Sequence, residues 1–196
     1  VEKSPVTIYM IGDSTMANRN LKNPKNKERG WGMMLGSFFP SDKVVVSNHA
    51  ASGRSTKSFI NEKRWARVVA LIKPGDYVFI QFGHNDEKKE NPKLYTEPGG
   101  TFDDNLRKFV NETRAKGGIP VLFNSIVRRK FCQDAAGQFT DSLLDTHGEY
   151  LLSPKRVAEE LNVPFIDMNK MIWCVRWDRK SRRNCICGQV KRTIHI

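Results

Sequence analysis

Three short segments carry residue types suited to acyl transfer. The first is Gly12-Asp13-Ser14. A serine hydroxyl attacks an acyl carbon once a base takes its proton, and a serine on a strand-to-helix turn lifts its hydroxyl and its own N–H above the sheet edge. The second is Ala51-Ser52-Gly53-Arg54-Ser55, in which the Gly53 N–H is available as an oxyanion donor. The third is Gly83-His84-Asn85-Asp86, in which the Asn85 side-chain amide is another. Each has an ordinary explanation on its own: Gly-Asp-Ser is also a turn and N-cap, Gly53 a turn glycine, and Asn85 a loop cap. What decides between these explanations is whether the fold brings the three together.

The elements that must position them are legible. Apolar, β-rich runs predict strands over 6–11, 44–48, 77–82, 120–126 and 165–167. Such continuous runs suit a parallel sheet covered on both faces. Trp65, Val68, Val69 and Ile72 follow helical spacing, as do Phe102, Leu106, Phe109, Val110 and Thr113. Thr101 is a plausible N-cap, with Asp103 and Asp104 suiting the positive end of the helix dipole. Ser153-Pro154 can start a further helix ending near Leu161. The alternation predicts one α/β domain with a central parallel sheet of about five strands. In a doubly wound sheet of order 2-1-3-4-5, strands one and three flank the topological switch point, beyond whose carboxyl ends ligands bind. Ser14, Gly53 and Asn85 each follow one of the first three strands and would converge there. Segments 19–30, 88–100 and 128–146 are read as long polar loops on the rim.

Gly12-Asp13-Ser14, Gly53 and Gly83-x-Asn85-Asp86 resemble the first three sequence blocks of the SGNH/GDSL hydrolases. The wider segments are similar to the rhamnogalacturonan acetylesterase branch. These are Ile11-Gly12-Asp13-Ser14-Thr15-Met16-Ala17, Asn48-His49-Ala50-Ala51-Ser52-Gly53-Arg54-Ser55-Thr56 and Gln81-Phe82-Gly83-His84-Asn85-Asp86. Arg29-Gly30-Trp31-Gly32 and Ile126-Val127-Arg128-Arg129 extend the likeness, which covers residues 5 to 172. The resemblance implies a three-layer, flavodoxin-like α/β fold. It implies a serine esterase that removes O-acetyl groups from plant cell-wall polysaccharide such as rhamnogalacturonan. It implies no metal and no organic cofactor. Ser14 would be the nucleophile, and Gly53 and Asn85 the oxyanion donors. His84, His147 and Arg128 would lie on the substrate side.

One block departs from the pattern. The family's general base is the histidine of an Asp-x-x-His block, whose aspartate orients it. The residues three before His49, His84, His147 and His195 are Val46, Gln81, Leu144 and Arg192, and none is acidic. Asp145-Thr146-His147 has a shorter spacing and precedes the fifth strand, whereas the family's base follows it. The resemblance stops after Ile172, and 173–196 reads as a replaced, basic tail that packs poorly, as a shifted reading frame would produce. An impaired esterase is therefore expected. The alternative is a non-catalytic carbohydrate-binding relative that keeps the crevice without the base.

Composition narrows the partners. The 196 residues are 39% hydrophobic and carry a net charge of +12. They suit one soluble domain, and no run approaches the ~18 apolar residues of a membrane span. Between Trp173 and Ile196 lie seven Lys/Arg and one acid, Asp178, so half the net charge sits there. A basic surface attracts acidic polymers, but no nucleic-acid motif accompanies it, and a solvated face is the simpler reading. Of the four cysteines Cys132 stands alone in the main body, while Cys174, Cys185 and Cys187, with His195, match no standard zinc spacing, and no metal site is expected. Val1-Glu2-Lys3-Ser4-Pro5 has no apolar leader core. The chain is read as secreted or periplasmic with its signal peptide absent.

Overall fold

The computed structural model describes residues 4–22, 28–128 and 130–174. The elements run β1 (Val6–Gly12), α1 (Gly32–Leu35), β2 (Val44–Asn48), α2 (Thr56–Asn61), α3 (Arg64–Val69) and β3 (Tyr77–Gln81). They continue with α4 (Thr101–Ala115), β4 (Ile119–Phe123), β5 (Phe131–Gln133), β6 (Phe139–Leu143), α5 (Leu152–Leu161), β7 (Phe165–Ile166) and α6 (Met168–Cys174).

Five strands form one parallel sheet in the order β2-β1-β3-β4-β7. That is the order expected for a doubly wound α/β fold. Successive side chains of a strand point to opposite faces, and the core divides accordingly. Tyr9, Ile11, Val78, Ile80 and Leu122 face one layer, where they meet Phe59 of α2, Trp65 and Val68 of α3, Phe102, Leu106 and Phe109 of α4, and Val157 of α5. Ile8, Met10, Phe79, Val121 and Phe123 face the other, with Trp31, Leu35 of α1, Phe39 and Met168 of α6. Helices therefore cover both faces, which is why the strands carry no polar side. Phe59, Phe79, Phe82, Phe102, Phe109 and Phe123 are fully buried. Each contributes about 1.5–3 kcal/mol of hydrophobic burial.

Some local expectations are corrected. Thr101 is the first residue of α4 and Gly100 its cap; the Thr101 hydroxyl instead accepts from the Glu97 N–H at 2.9 Å. Asp103 and Asp104 do stand in the first turn. β4 ends at Phe123, short of 126, because the next side chains turn away to other partners. Asn124 bonds the Asp167 carboxylate at 2.9 Å and the Asn169 N–H at 3.0 Å, and the Ser125 hydroxyl donates to the Phe82 carbonyl at 3.0 Å. The segment 128–146, read as loop, contains the antiparallel hairpin β5–β6. Its turn is closed by Asp134, whose Oδ1 accepts the Ala136 and Gln138 N–H groups at 2.9 Å. Of the segment 173–196, residues 173 and 174 close α6. Residues 175–196, with Cys185, Cys187, His195 and most of the basic tail, lie outside the described residues, as does Arg129.

Candidate active site

Parallel strands end on the same edge of a sheet, so the segments after β1, β2 and β3 meet there. Gly12 stands opposite Gln81 in the β1–β3 register. A Cβ on Gly12 would lie 2.5 Å from the Gln81 carbonyl, so only glycine fits. The chain then turns sharply. Asp13, fully buried, accepts the Thr15 N–H at 2.9 Å and the Thr15 hydroxyl at 2.8 Å, and its carbonyl accepts the Ala17 N–H at 3.1 Å. Ser14 sits half-buried at the apex of this turn.

The loop after β2 is fastened to the nucleophile turn. The His49 N–H donates to the Met10 carbonyl at 2.8 Å, and the Ala51 N–H to the Gly12 carbonyl at 2.9 Å. Asn48 ties the same corner, its side-chain nitrogen donating to the Met16 carbonyl at 2.9 Å. Gly53 follows with φ +75°, in the left-handed region, and is exposed. Ser55 then caps α2 through reciprocal bonds with Ser58.

The loop after β3 closes on both. The Asn85 side-chain nitrogen donates to the Arg54 carbonyl at 3.0 Å, and Lys88 Nζ donates to the Asn85 side-chain oxygen at 2.9 Å. Asp86 is buried beneath. Its Oδ1 accepts from the Thr56 N–H at 3.0 Å, the Thr56 hydroxyl at 2.6 Å and the Thr96 hydroxyl at 2.7 Å. Burial pushes the Asp86 carboxyl up to about 7, against the pull of the Thr56 and Thr96 bonds. Gln81, at the end of β3, accepts the Trp31 indole N–H at 2.7 Å and braces the layer below.

Ser14, Gly53 and Asn85 thus share one edge, joined by the bonds Ala51 to Gly12 and Asn85 to Arg54. Among the described residues, neither the hydroxyl nor the N–H of Ser14, nor the N–H of Gly53, has a hydrogen-bond partner. Stabilising the negative oxygen of a tetrahedral acyl intermediate calls for uncommitted donors of this kind on the same edge as the hydroxyl.

The three residues expected on the substrate side gather around Glu87 and the Ile126 carbonyl. The His147 side chain is 1% exposed. Its Nδ1 faces Glu87 Oε2 at 2.9 Å and its Nε2 the Ile126 carbonyl at 3.1 Å. Both nitrogens are taken up inside the protein, so His147 ties the loops together. Arg128 is turned the same way, to Glu87, to the Thr146 hydroxyl at 3.1 Å and to the His84 carbonyl at 3.4 Å. His84 is half-buried, with Nε2 at 3.2 Å from the Ile126 carbonyl. Burial would raise the Glu87 carboxyl, but the bonds from His147 and Arg128 outweigh it and hold it below the usual range. His49 pairs with the Ser47 hydroxyl at 2.9 Å and supports the corner after β2. No described histidine hydrogen-bonds Ser14. Among the described residues no group of three or more His, Cys, Asp or Glu side chains is arranged to hold a metal. A groove of about 680 Å³ lies away from this edge, against the hairpin, lined by Lys130, Phe131, Cys132, Gln133, Phe139 and Leu144.

The model of the GDSL-like lipase/acylhydrolase family matches residues 10–184. The chain belongs to that family. This GDSL-type chain is 39% identical over 166 residues to rhamnogalacturonan acetylesterase RhgT of Bacillus subtilis, covering 85% of the chain and 66% of that relative. It is 35% identical over 161 residues to the probable rhamnogalacturonan acetylesterase YesY of the same organism, covering 82% of the chain and 69% of that relative. It therefore spans about two thirds of the length of these relatives. An acetylxylan esterase structure from Geobacillus stearothermophilus superposes with a TM-score of 0.67 at 21% identity, covering 100% of this chain and 96% of the other, which shows the shared SGNH fold.

Proposed function

We propose that this chain carries the nucleophile and oxyanion hole of a carbohydrate O-acetylesterase acting on acetylated plant cell-wall polysaccharide such as rhamnogalacturonan. The observation that carries the reading is the meeting of the unpartnered Ser14 hydroxyl with the Gly53 and Asn85 donors on one sheet edge. The likeness to two rhamnogalacturonan acetylesterases supports the substrate class. Such polymers lie outside the cytoplasm, so the reading goes with a secreted or periplasmic protein and with pectin breakdown. Among the described residues no helix is long and apolar enough to cross a membrane.

In this reading Ser14 Oγ bonds to the acetyl carbon, the carbonyl electrons move onto its oxygen, and the Gly53 N–H, the Ser14 N–H and the Asn85 amide receive that charge. Collapse expels the sugar oxygen, which takes up a proton and leaves as the free hydroxyl; water then cleaves acetyl-Ser14 to acetate and returns a proton to Oγ. The serine proton needs a base, and the 196 residues contain no Asp-x-x-His. Turnover by these residues is accordingly impaired. The second reading, for these 196 residues, is a carbohydrate-binding relative that holds acetylated sugar without cleaving it.

Treatment with p-nitrophenyl acetate followed by mass spectrometry separates the two. The esterase reading expects slow but Ser14-selective acetylation by this activated ester, absent in Ser14→Ala. Acetylation spread over surface lysines with none on Ser14, alongside tight binding of acetylated rhamnogalacturonan oligosaccharide, would favour the binding protein.

A further inference from the structure

The Asn85 amide is gripped at both ends. Lys88 Nζ meets its oxygen at 2.9 Å, and its nitrogen meets the Arg54 carbonyl at 3.0 Å. An ammonium can only donate and a carbonyl can only accept. The two partners by themselves decide which end of the amide is oxygen and which is nitrogen. Turning the amide over would set NH₂ against ammonium and oxygen against oxygen. In the observed sense one N–H goes to Arg54, and the second has no acceptor among the described residues.

Lys88 is delivered to this place by its own turn. The Glu87 N–H donates to the Gly83 carbonyl at 3.2 Å and the Lys88 N–H to the Asn85 carbonyl at 3.3 Å, folding 83–88 back on itself. Glu87, between Asn85 and Lys88, is clamped by Arg128 and His147. The base of the Lys88 side chain therefore stands on a braced mount.

We propose that Lys88 is a positioning residue of the oxyanion hole. It fixes the amide plane of Asn85 so that the second N–H faces the acyl oxygen, and it sets a positive charge one amide away from the developing negative one. A bond from a charged donor is stronger than a neutral one and polarises the amide it touches. The inference rests on the esterase reading of Ser14.

Binding of methylboronic acid tests it without requiring turnover. The Ser14 oxygen adds to boron, its proton leaves to solvent, and the tetrahedral boronate places an oxygen in the hole. The wild-type chain is expected to bind it and Ser14→Ala to lose it. Lys88→Met is expected to weaken binding about tenfold, the size of one charge-assisted bond, and Lys88→Arg to stay within about threefold of wild type. In an Asn85→Ala background, Lys88→Met is expected to add less than about twofold, since its effect passes through the amide. Full affinity in Lys88→Met, or an undiminished effect without Asn85, would overturn the role of Lys88 while leaving the esterase reading in place. A wild-type chain that does not bind the boronate, or Ser14→Ala that still does, would overturn the esterase reading itself.

Discussion

His84 and His147 meet ring to ring, centroids 4.4 Å apart and planes at 67°, and both turn Nε2 to the Ile126 carbonyl. One carbonyl oxygen has two lone pairs and can serve both rings. The rings differ at Nδ1, where only His147 faces a carboxylate, that of Glu87.

His84 makes stability depend on pH. Burial first, then the charges of His147 and Arg128, hold the His84 ring below its ordinary 6.5, against the pull of Asp13 and Glu87. The unfolded chain takes up this proton at about 6.5 and the folded chain only at lower pH. The contribution of His84 is complete above 6.5 and is lost as pH falls through that value. His84→Gln keeps an N–H for Ile126 but does not titrate. The gap in urea midpoint between the two proteins should be constant above about pH 7 and shift against wild type on acidification to about pH 5. A constant gap throughout would contradict a neutral His84. Asp86 acts with the opposite sign, since its raised carboxyl holds a proton that the unfolded chain gives up between 3.8 and about 7. It is present in both proteins and cancels in the difference.

Glu87 carries more than a surface acid does. Its side chain is 18% exposed and takes both Arg128 and His147. Glu87→Ala leaves two donors facing each other without their acceptor and should lower stability by about 2–3 kcal/mol, read as a shift in urea midpoint. An effect below about 0.5 kcal/mol, typical of an exposed pair, would show that the network is solvated.

Two glycines separate folding from function. Gly83 has φ +140°, and a Cβ there would lie 2.2 Å from the Ser125 hydroxyl oxygen. Gly53 has φ +75° with nothing within 4 Å of its Cβ position. Gly83→Ala combines strain with overlap and should destabilise by about 3 kcal/mol or more, whereas Gly53→Ala should lose only about 1–2 kcal/mol from backbone strain. Gly53→Ala should nonetheless weaken boronate binding, because relaxing φ re-aims its N–H. Equal stability losses in calorimetry would contradict this division.

The sharpest expectation concerns rate. Removing the base from a serine hydrolase lowers kcat by on the order of 10⁶, while the hole and binding retain ~10³–10⁴ over water. Acetyl-ester turnover by the 196 residues should sit near background. Joining a family-type segment bearing Asp-x-x-His after Ile172 should restore it, and Ser14→Ala in the restored chain should abolish it. Rapid turnover by the unmodified chain would mean that another group serves Ser14.

The sheet was readable because its central strands are buried on both faces and so carry apolar runs such as 77–80. The meeting of Ser14, Gly53 and Asn85 was readable because parallel topology fixes where strand ends go. Long-range polar pairing was not. Glu87 meets a histidine 60 residues away, and nothing near His147 in the sequence marks it as buried. The hairpin was missed because Phe139 is 75% exposed and β6 mixes polar with apolar residues, the pattern of a loop. Lys88 was passed over as one basic residue in a polar stretch; its signal was its position three residues after Asn85, a turn's reach.

The order β2-β1-β3 places every identified acyl-oxygen donor on one half of the sheet, encoded before residue 90. The far half, β4 and β7, contributes none of them. A change confined to the chain after β4 therefore leaves every one of these donors standing, whatever it does to the handling of the serine proton.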